Sequence, residues 1–332
     1  MNDKIRSVNS YRTVVGVLLL FTVLTIFTAP LIGTEESSFV DLFKSNVGLM
    51  IFFDLRLPRI AFAFLVGFSL SIIGVAFQAL LQNELATPYT LGVASGGALG
   101  AVIAIKSGLA LTVFGFTTTT FFSVAGSILT ILIIYVIAKS RAGLSPITLV
   151  LTGVTISLLF SSLILFVHYL ADFTETYRMI RWLMGGLQVA GWSYSLTLIP
   201  LVAFIFIYLL RKAVALNIVS SGDEMALSKG VDVFSLQKGI FIISSVLVGI
   251  IVAFAGPIGF IGLIIPHLVR LIVGADHRKL LVAAPIFGGS FLIWCDTLAR
   301  TIISPAELPV GIITAMLGGP FFIWLLVKQK RM

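Results

Sequence analysis

Long apolar stretches alternate with short polar breaks along the chain. No charged side chain interrupts residues 13–33, 60–83, 85–105, 107–138, 142–171, 182–210, 239–269 or 308–327. About 20 apolar residues let a helix cross a bilayer, so each stretch holds at least one span and the longest has room for two. Glycine, proline and charge divide the stretches into ten spans, near 13–33, 60–81, 88–106, 118–138, 147–170, 193–210, 239–255, 258–273, 280–303 and 308–327. The eighth is short and broken by Gly256, Pro257 and Pro266, and parity decides it. Lys4, Arg6 and Arg12 precede the first span and Lys328, Lys330 and Arg331 follow the last, which puts both termini in the cytoplasm. An even number of crossings is then required. The pattern predicts an all-α, polytopic membrane protein of about ten helices.

Composition agrees. Hydrophobic residues make up 58% and charged residues 11% of 332, with a mean hydropathy of +1.12. A soluble chain of this length would expose too much apolar surface to stay dispersed. The first stretch runs into acidic, polar sequence without a small-residue cleavage pattern, so it reads as a retained span. No low-complexity tract or long linker divides residues 1–332, which read as one transmembrane domain in a cell membrane.

Charge changes the picture at one edge. All but seven of the 22 Lys and Arg fall on the cytoplasmic side; the exceptions are Lys44, Arg56, Arg59, Lys106, Arg178, Arg181 and Arg300. The net charge of +8 is met by inner positive loops beside anionic lipid and calls for no nucleic acid. Arg56 and Arg59 flank Pro58 at the outer mouth of the second span, where the proline suggests a helix beginning. Their forked guanidiniums suit carboxylate binding, although snorkelling to lipid phosphates is the plainer reading.

Catalytic chemistry is hard to find. There is no Gly-x4-Gly-Lys-Ser/Thr loop to cradle a phosphate, and no Gly is followed by Lys. None of His168, His267 and His277 shares with carboxylates a spacing that suggests a metal site, and Cys295 is a lone apolar-segment thiol. We expect no catalytic, cofactor-binding or metal-binding residue in this chain. Asp296, inside the ninth span, has Arg300 four residues on; an ion pair on one helix face is the simple reading and a proton-relay acid the sharper one. Glycines seven apart, Gly67 with Gly74 and Gly249 with Gly256, suit close helix packing or, alternatively, a duplicated unit.

Three stretches carry an identity: 56–101 ("RLPRIAFAFLVGFSL…GGALGA"), 256–278 ("GPIGFIGLIIPHLVRLIVGADHR") and 296–326 ("DTLARTIISPAELPVGIITAMLGGPFFIWLL"). Together they resemble the permease subunits of binding-protein-dependent, ATP-driven importers for iron–siderophore complexes, haem and cobalamin. The resemblance covers most of the chain from Arg56 onward. Its matching positions include Pro58, Gln78, Asn83, Pro88, Gly92, Pro266, His267, Arg270, Asp296, Glu307 and Pro309, read as structural. One departure is "NELA" (83–86), where the family usually has Asn-Pro-Leu-Ala, so Glu84 replaces a proline.

The resemblance implies a type II ABC importer permease fold and transport of a ferric siderophore, or of haem or cobalamin, by alternating access. It implies a second permease protomer, identical or paralogous, two cytoplasmic ATPase subunits that bind the ATP and Mg, and an extracytoplasmic substrate-binding protein. In the family, arginines matching Arg56, Arg59 and Arg300 receive acidic residues of the binding protein. The inner loop 211–238 matches the segment that docks in the ATPase, through Ser221, Gly222, Asp223, Glu224, Ala226 and Gly230. Read on its own, that loop is a short helix capped by Ser221 or Asp223 and stopped at Gly230. Ser145 and Pro146 match the family's cytoplasmic gate, although as bare sequence they are an ordinary turn. The rival reading is an ion-coupled secondary carrier working without an ATPase, which would want several pathway-facing ionisable groups.

Overall fold

Helices take up nearly all of the chain in the computed structural model, which describes residues 2–32, 46–84, 86–87, 89, 92–113, 115–140, 146–188 and 191–329. They are α1 (Asn2–Thr28), α2 (Asn46–Met50), α3 (Leu57–Leu80), α4 (Val93–Ser107), α5 (Thr118–Ser140), α6 (Pro146–Tyr169), α7 (Phe173–Leu183), α8 (Ser193–Val219), α9 (Asp223–Ser228), α10 (Val233–Ala255), α11 (Ile261–Val273), α12 (His277–Thr301) and α13 (Val310–Gln329). Among the described residues, seven helical segments are long and apolar enough to cross a membrane. Three shorter apolar helices, Val93–Ser107, Ile261–Val273 and Val310–Leu325, stand at the third, eighth and tenth expected spans.

The second span departs from expectation in an instructive way. The helix does not begin at Pro58; it runs from Asn46 to Leu80, through a π-helical stretch, Ile51–Arg56, between α2 and α3. Proline lacks the amide that would bond the carbonyl four residues back. That carbonyl, Asp54 O, accepts instead from Gly191 N at 2.9 Å. The wide π turn and this outside donor let the helix continue through the proline. The third span is shorter than expected: α4 starts at Val93, behind Gly92 in the left-handed region (φ 75°). Pro88 lies outside the described residues.

The chain divides into two compact units, each discontinuous in sequence: Met1–Val75 with Leu187–Val214 and Phe260–Met332, and Ala76–Gly186 with Ala215–Gly259. In the first, backbones meet at glycine. A Cβ on Gly67 would strike the Gly288 carbonyl of α12, and one on Gly74 the Gly262 carbonyl of α11. Helix α1 is pinned to α12 by hydroxyls, with Thr22 Oγ1 and Ser290 Oγ 2.7 Å apart and Trp294 Nε1 donating to Thr25 Oγ1 at 3.0 Å. His267 sits edge-on to Phe321 of α13, at 6.0 Å between centroids, and with Pro266 it is buried inside α11.

The second unit repeats the device. Gly96 of α4 and Gly126 of α5 face each other too closely for any side chain, and Gly249 of α10 abuts Ser127. The seven-residue spacing of Gly249 and Gly256 thus hides two different jobs, because Gly256 ends α10 at φ 66°. Small residues at these crossings let helices pack where lipid offers no hydrophobic drive. Helix α7 is the polar exception: Asp172 and Glu175 form a reciprocal capping box, and Lys106 Nζ reaches Glu175 Oε2 at 2.7 Å. A two-residue hairpin, β1 (Thr112–Val113) with β2 (Phe116–Thr117), links α4 to α5.

Candidate functional site

The first unit gathers an ionic cluster at the start of α3 and the end of α12. Arg59 lies in the first turn of α3, held by the continuous helix before it. Its Nε donates to Asp296 Oδ2 at 2.9 Å and Oδ1 at 3.2 Å, and its Nη2 to Oδ1 at 2.9 Å. The remaining nitrogen, Nη1, reaches Glu307 Oε2 at 3.0 Å and Oε1 at 3.2 Å. Both edges of one guanidinium are therefore filled by carboxylates, which is the strong, orienting form of the interaction. Glu307 also accepts from Gln188 Nε2 at 3.0 Å.

Asp296 and Arg300 do form the i,i+4 pair, Nε to Oδ2 at 3.3 Å, but that contact is secondary. The better-aligned partner of Asp296 is Arg59, 237 residues away, because its planar fork presents two donors to both carboxylate oxygens. Arg300 turns its other nitrogens to Thr297 Oγ1 and to Ile32 O, each at 3.3 Å. Arg56 Nη1 donates to Pro30 O at 2.9 Å. Arg56 and Arg300 thus both take carbonyls in or just after the 3-10 turn Ala29–Leu31 that follows α1.

Burial grades the cluster: Asp296, Arg300, Arg59 and Glu307 expose 2%, 6%, 13% and 27% of their side chains. Burial works to raise the Glu307 carboxyl, but the Arg59 guanidinium and the Gln188 amide outweigh it and hold it below the ordinary 4.5. Pro309 precedes α13, and its carbonyl accepts from Ile312 N, while Leu308 N bonds Ala299 O at 3.0 Å and fixes the loop carrying Glu307.

The second candidate site is the short helix α9. Its N-cap is Gly222 at φ 114°, and no side chain caps it. Ser221 does not serve as expected, because its Oγ donates back to Asn217 O at 3.3 Å. Asp223 lies in the first turn and accepts from Gln82 Nε2 at 2.8 Å. A chain turn that only glycine adopts readily leaves neither residue in the capping geometry. Ala226 is fully buried, Glu224 is exposed, and Met225 and Leu227 point outward at 46% and 64% exposure. Gly230 ends the segment at φ 74° as the spacing predicts, with Val231 N bonding Ala226 O.

Gln82 and Gln188 were not singled out by sequence reasoning. Gln82 borders the quoted Asn83 motif, whereas nothing local marks Gln188. Gln78 is buried and its carbonyl accepts from Asn83 N at 3.1 Å; Glu84 stands in an exposed turn. Arg270 is half-buried near the end of α11, where its carbonyl accepts from Gly274 N. Ser145 lies outside the described residues, and of Pro146 only the backbone, opening α6, is described. Among the described residues no group of three His, Cys, Asp or Glu is placed to hold a metal ion.

The model of the FecCD transport family matches residues 18–328. The chain belongs to that family. It is 36% identical over 327 residues to the hemin transport system permease protein HmuU of Yersinia pestis, covering 96% of this chain and 97% of that one. It is 35% identical over 285 residues to the iron(3+)-hydroxamate import system permease protein FhuG of Bacillus subtilis, covering 85% and 84%. Its fold is similar to a solved structure described as an inward-facing ABC transporter of metal-chelate type, with TM-score 0.85, 30% identity and coverage of 96% and 99%. As a member of the FecCD family the chain is a multi-pass membrane permease subunit of the ABC importer class. The work of the molecule is transport.

Proposed function

We propose that this permease carries a ferric chelate into the cytoplasm, a siderophore complex first, with haem and cobalamin as kindred cargoes. The observation that carries the reading is the near-full-length likeness to permeases named for hemin and for iron(3+)-hydroxamate. Two protomers, identical or paralogous, enclose the path, both termini face the cytoplasm, and two ATPase subunits bind the ATP and Mg. The segment Ser221, Gly222, Asp223, Glu224, Ala226 and Gly230 seats in the ATPase, with the fully buried Ala226 anchoring α9 from beneath and the outward Met225 and Leu227 supplying an apolar contact. The turn at Ser145 and Pro146 narrows the cytoplasmic end.

On the outer face a substrate-binding protein docks on Arg56, Arg59 and Arg300. Because Arg59 already holds two carboxylates, an incoming acid competes with the more exposed one, Glu307. The chain moves substrate by alternating access and makes no covalent bond to it.

The test is uptake of radiolabelled iron by a deletion strain carrying this gene, with ferric hydroxamate, ferric catecholate, haem and cobalamin each supplied in turn. Restored uptake of one iron chelate supports the reading; restored uptake of none, with the protein in the membrane, overturns it. Docking is tested separately: Arg56→Glu should abolish uptake in folded protein, and a Glu→Arg change on the binding protein should partly restore it. Binding-protein affinity indifferent to salt and to Arg56→Ala and Arg59→Ala would remove the docking role.

A further inference from the structure

Gln82 is one of two non-glycine residues with positive φ among the described residues (φ 48°; the other is Phe260). It stands where α3 ends. Gln82 N bonds Ala79 O at 3.3 Å and Asn83 N bonds Gln78 O at 3.1 Å, the paired closure of a Schellman turn. That turn puts one residue in the left-handed region, and glycine fills the position at least cost. A side chain held there against its preference calls for a reason.

The side chain supplies the reason. Its Nε2 donates to Val219 O at 3.2 Å and to Asp223 Oδ1 at 2.8 Å. Val219 is the last residue of α8 and Asp223 the first of α9, so one amide bridges both sides of the turn at Ser220–Gly222. The N-cap of α9 is a glycine without a side-chain bond, so the Gln82 amide adds a side-chain tie to the backbone closure of Gly222 N on Val219 O at 3.0 Å. A helix of six residues has little stability of its own and takes its orientation from such ties.

We propose that Gln82 is a positioning residue that holds α9 at the angle in which it engages the ATPase. The inference rests on the reading of α9 as the ATPase contact. It concerns how much transport each ATP yields, since a slack α9 would still touch the ATPase but pass less of its motion on.

The experiment uses the reconstituted complex of permease, ATPase and binding protein, reading ATP hydrolysed per substrate moved, together with thermal stability. Gln82→Gly removes the bond while easing the backbone. A hydrogen bond to a carboxylate is worth more than a neutral one, and at this exposed site it shifts an equilibrium by roughly tenfold, so the ratio of ATP to substrate should rise by about that factor. Stability should be unchanged or higher, which a merely structural role would not give. Gln82→Glu should be worse, setting a carboxylate against Asp223, and Gln82→Glu with Asp223→Asn should recover part of the loss by reversing the bond. An unaltered ratio in Gln82→Gly overturns the proposal, as does absence of rescue in the double variant. Leu227→Asp separates the two readings. If it strips the ATPase while Gln82→Gly couples normally, only the role of Gln82 fails; if the ATPase stays bound, the contact reading fails and takes this one with it.

Discussion

Changing Asp296 to Asn removes one negative charge from a site where two guanidiniums rely on it. Arg59 directs two nitrogens at this carboxylate and Arg300 a third, at 2.9–3.3 Å, and Asp296 itself is only 2% exposed. Asparagine keeps the shape but turns an amide NH2 or a single neutral oxygen toward the donors. Arg59 retains Glu307, whereas Arg300 is left with neutral oxygens from Thr297 and Ile32. Leaving one partner of a buried pair behind costs about 3–5 kcal/mol. The partial exposure of Arg59 argues for the lower end, about 3 kcal/mol, or a roughly hundredfold shift toward unfolded protein. Thermal denaturation of the detergent-purified permease should show the loss. Adding Arg300→Leu should return part of it, since the surplus cation goes too. Transport by the surviving Asp296→Asn protein should ignore an uncoupler at constant ATP. Wild-type stability in the variant refutes the pairing argument, and collapse of wild-type transport under the uncoupler would favour a proton-carrying acid.

Gly230→Val puts a β-branched residue at φ 74°, so α9 should lose its ending: co-purifying ATPase should fall several-fold while the amount of membrane-inserted protein holds. Glu307 titrates below its ordinary value, so its stabilisation is fully present above pH 4.5 and fades as pH falls through the lower folded value. The stability gap between wild type and Glu307→Gln should therefore close only in acid, as read from melting curves across pH 3–6; a gap constant over that range would contradict the pairing. Gly74→Ala forces α3 off Gly262 and should cost about 1–3 kcal/mol or block accumulation, while Gly16→Ala, with nothing within 4 Å, should be silent by the same immunoblot and melting assays.

Much of the helix order was legible because membrane spans announce themselves by length and apolarity, without any need to know what they touch. The local errors have one cause each. Pro58 read as a helix start, since the donor that rescues Asp54 O is Gly191, 137 residues on, and no pattern links the two. Ser221 and Asp223 read as caps from composition, but the turn geometry at Gly222 outranked propensity. The Asp296–Arg300 pair was visible at i,i+4; the stronger Arg59 contact was not, because long-range pairing leaves no spacing. Glu307 was named for its motif, and its charge partner emerged only with the fold.

The ionic cluster also ranks the three arginines under the docking proposed above. Arg300 is the deepest and is bound to the Ile32 carbonyl beyond α1, so its loss should read first as a folding defect. Arg59 has one edge sealed on Asp296, which water scarcely reaches, and one on Glu307, which it does. Only the second edge is open to exchange, and exchange there releases the Glu307 side chain while Leu308 N keeps its loop on Ala299 O. Arg56 donates to the Pro30 carbonyl at 2.9 Å, a bond that an arriving carboxylate would exchange for a stronger, charge-assisted one. Salt dependence of binding-protein association should then fall most for Arg56→Ala, less for Arg59→Ala, and for Arg300→Ala only in step with lost protein. If the three variants lower the salt slope equally while folding equally well, the grading by burial is wrong.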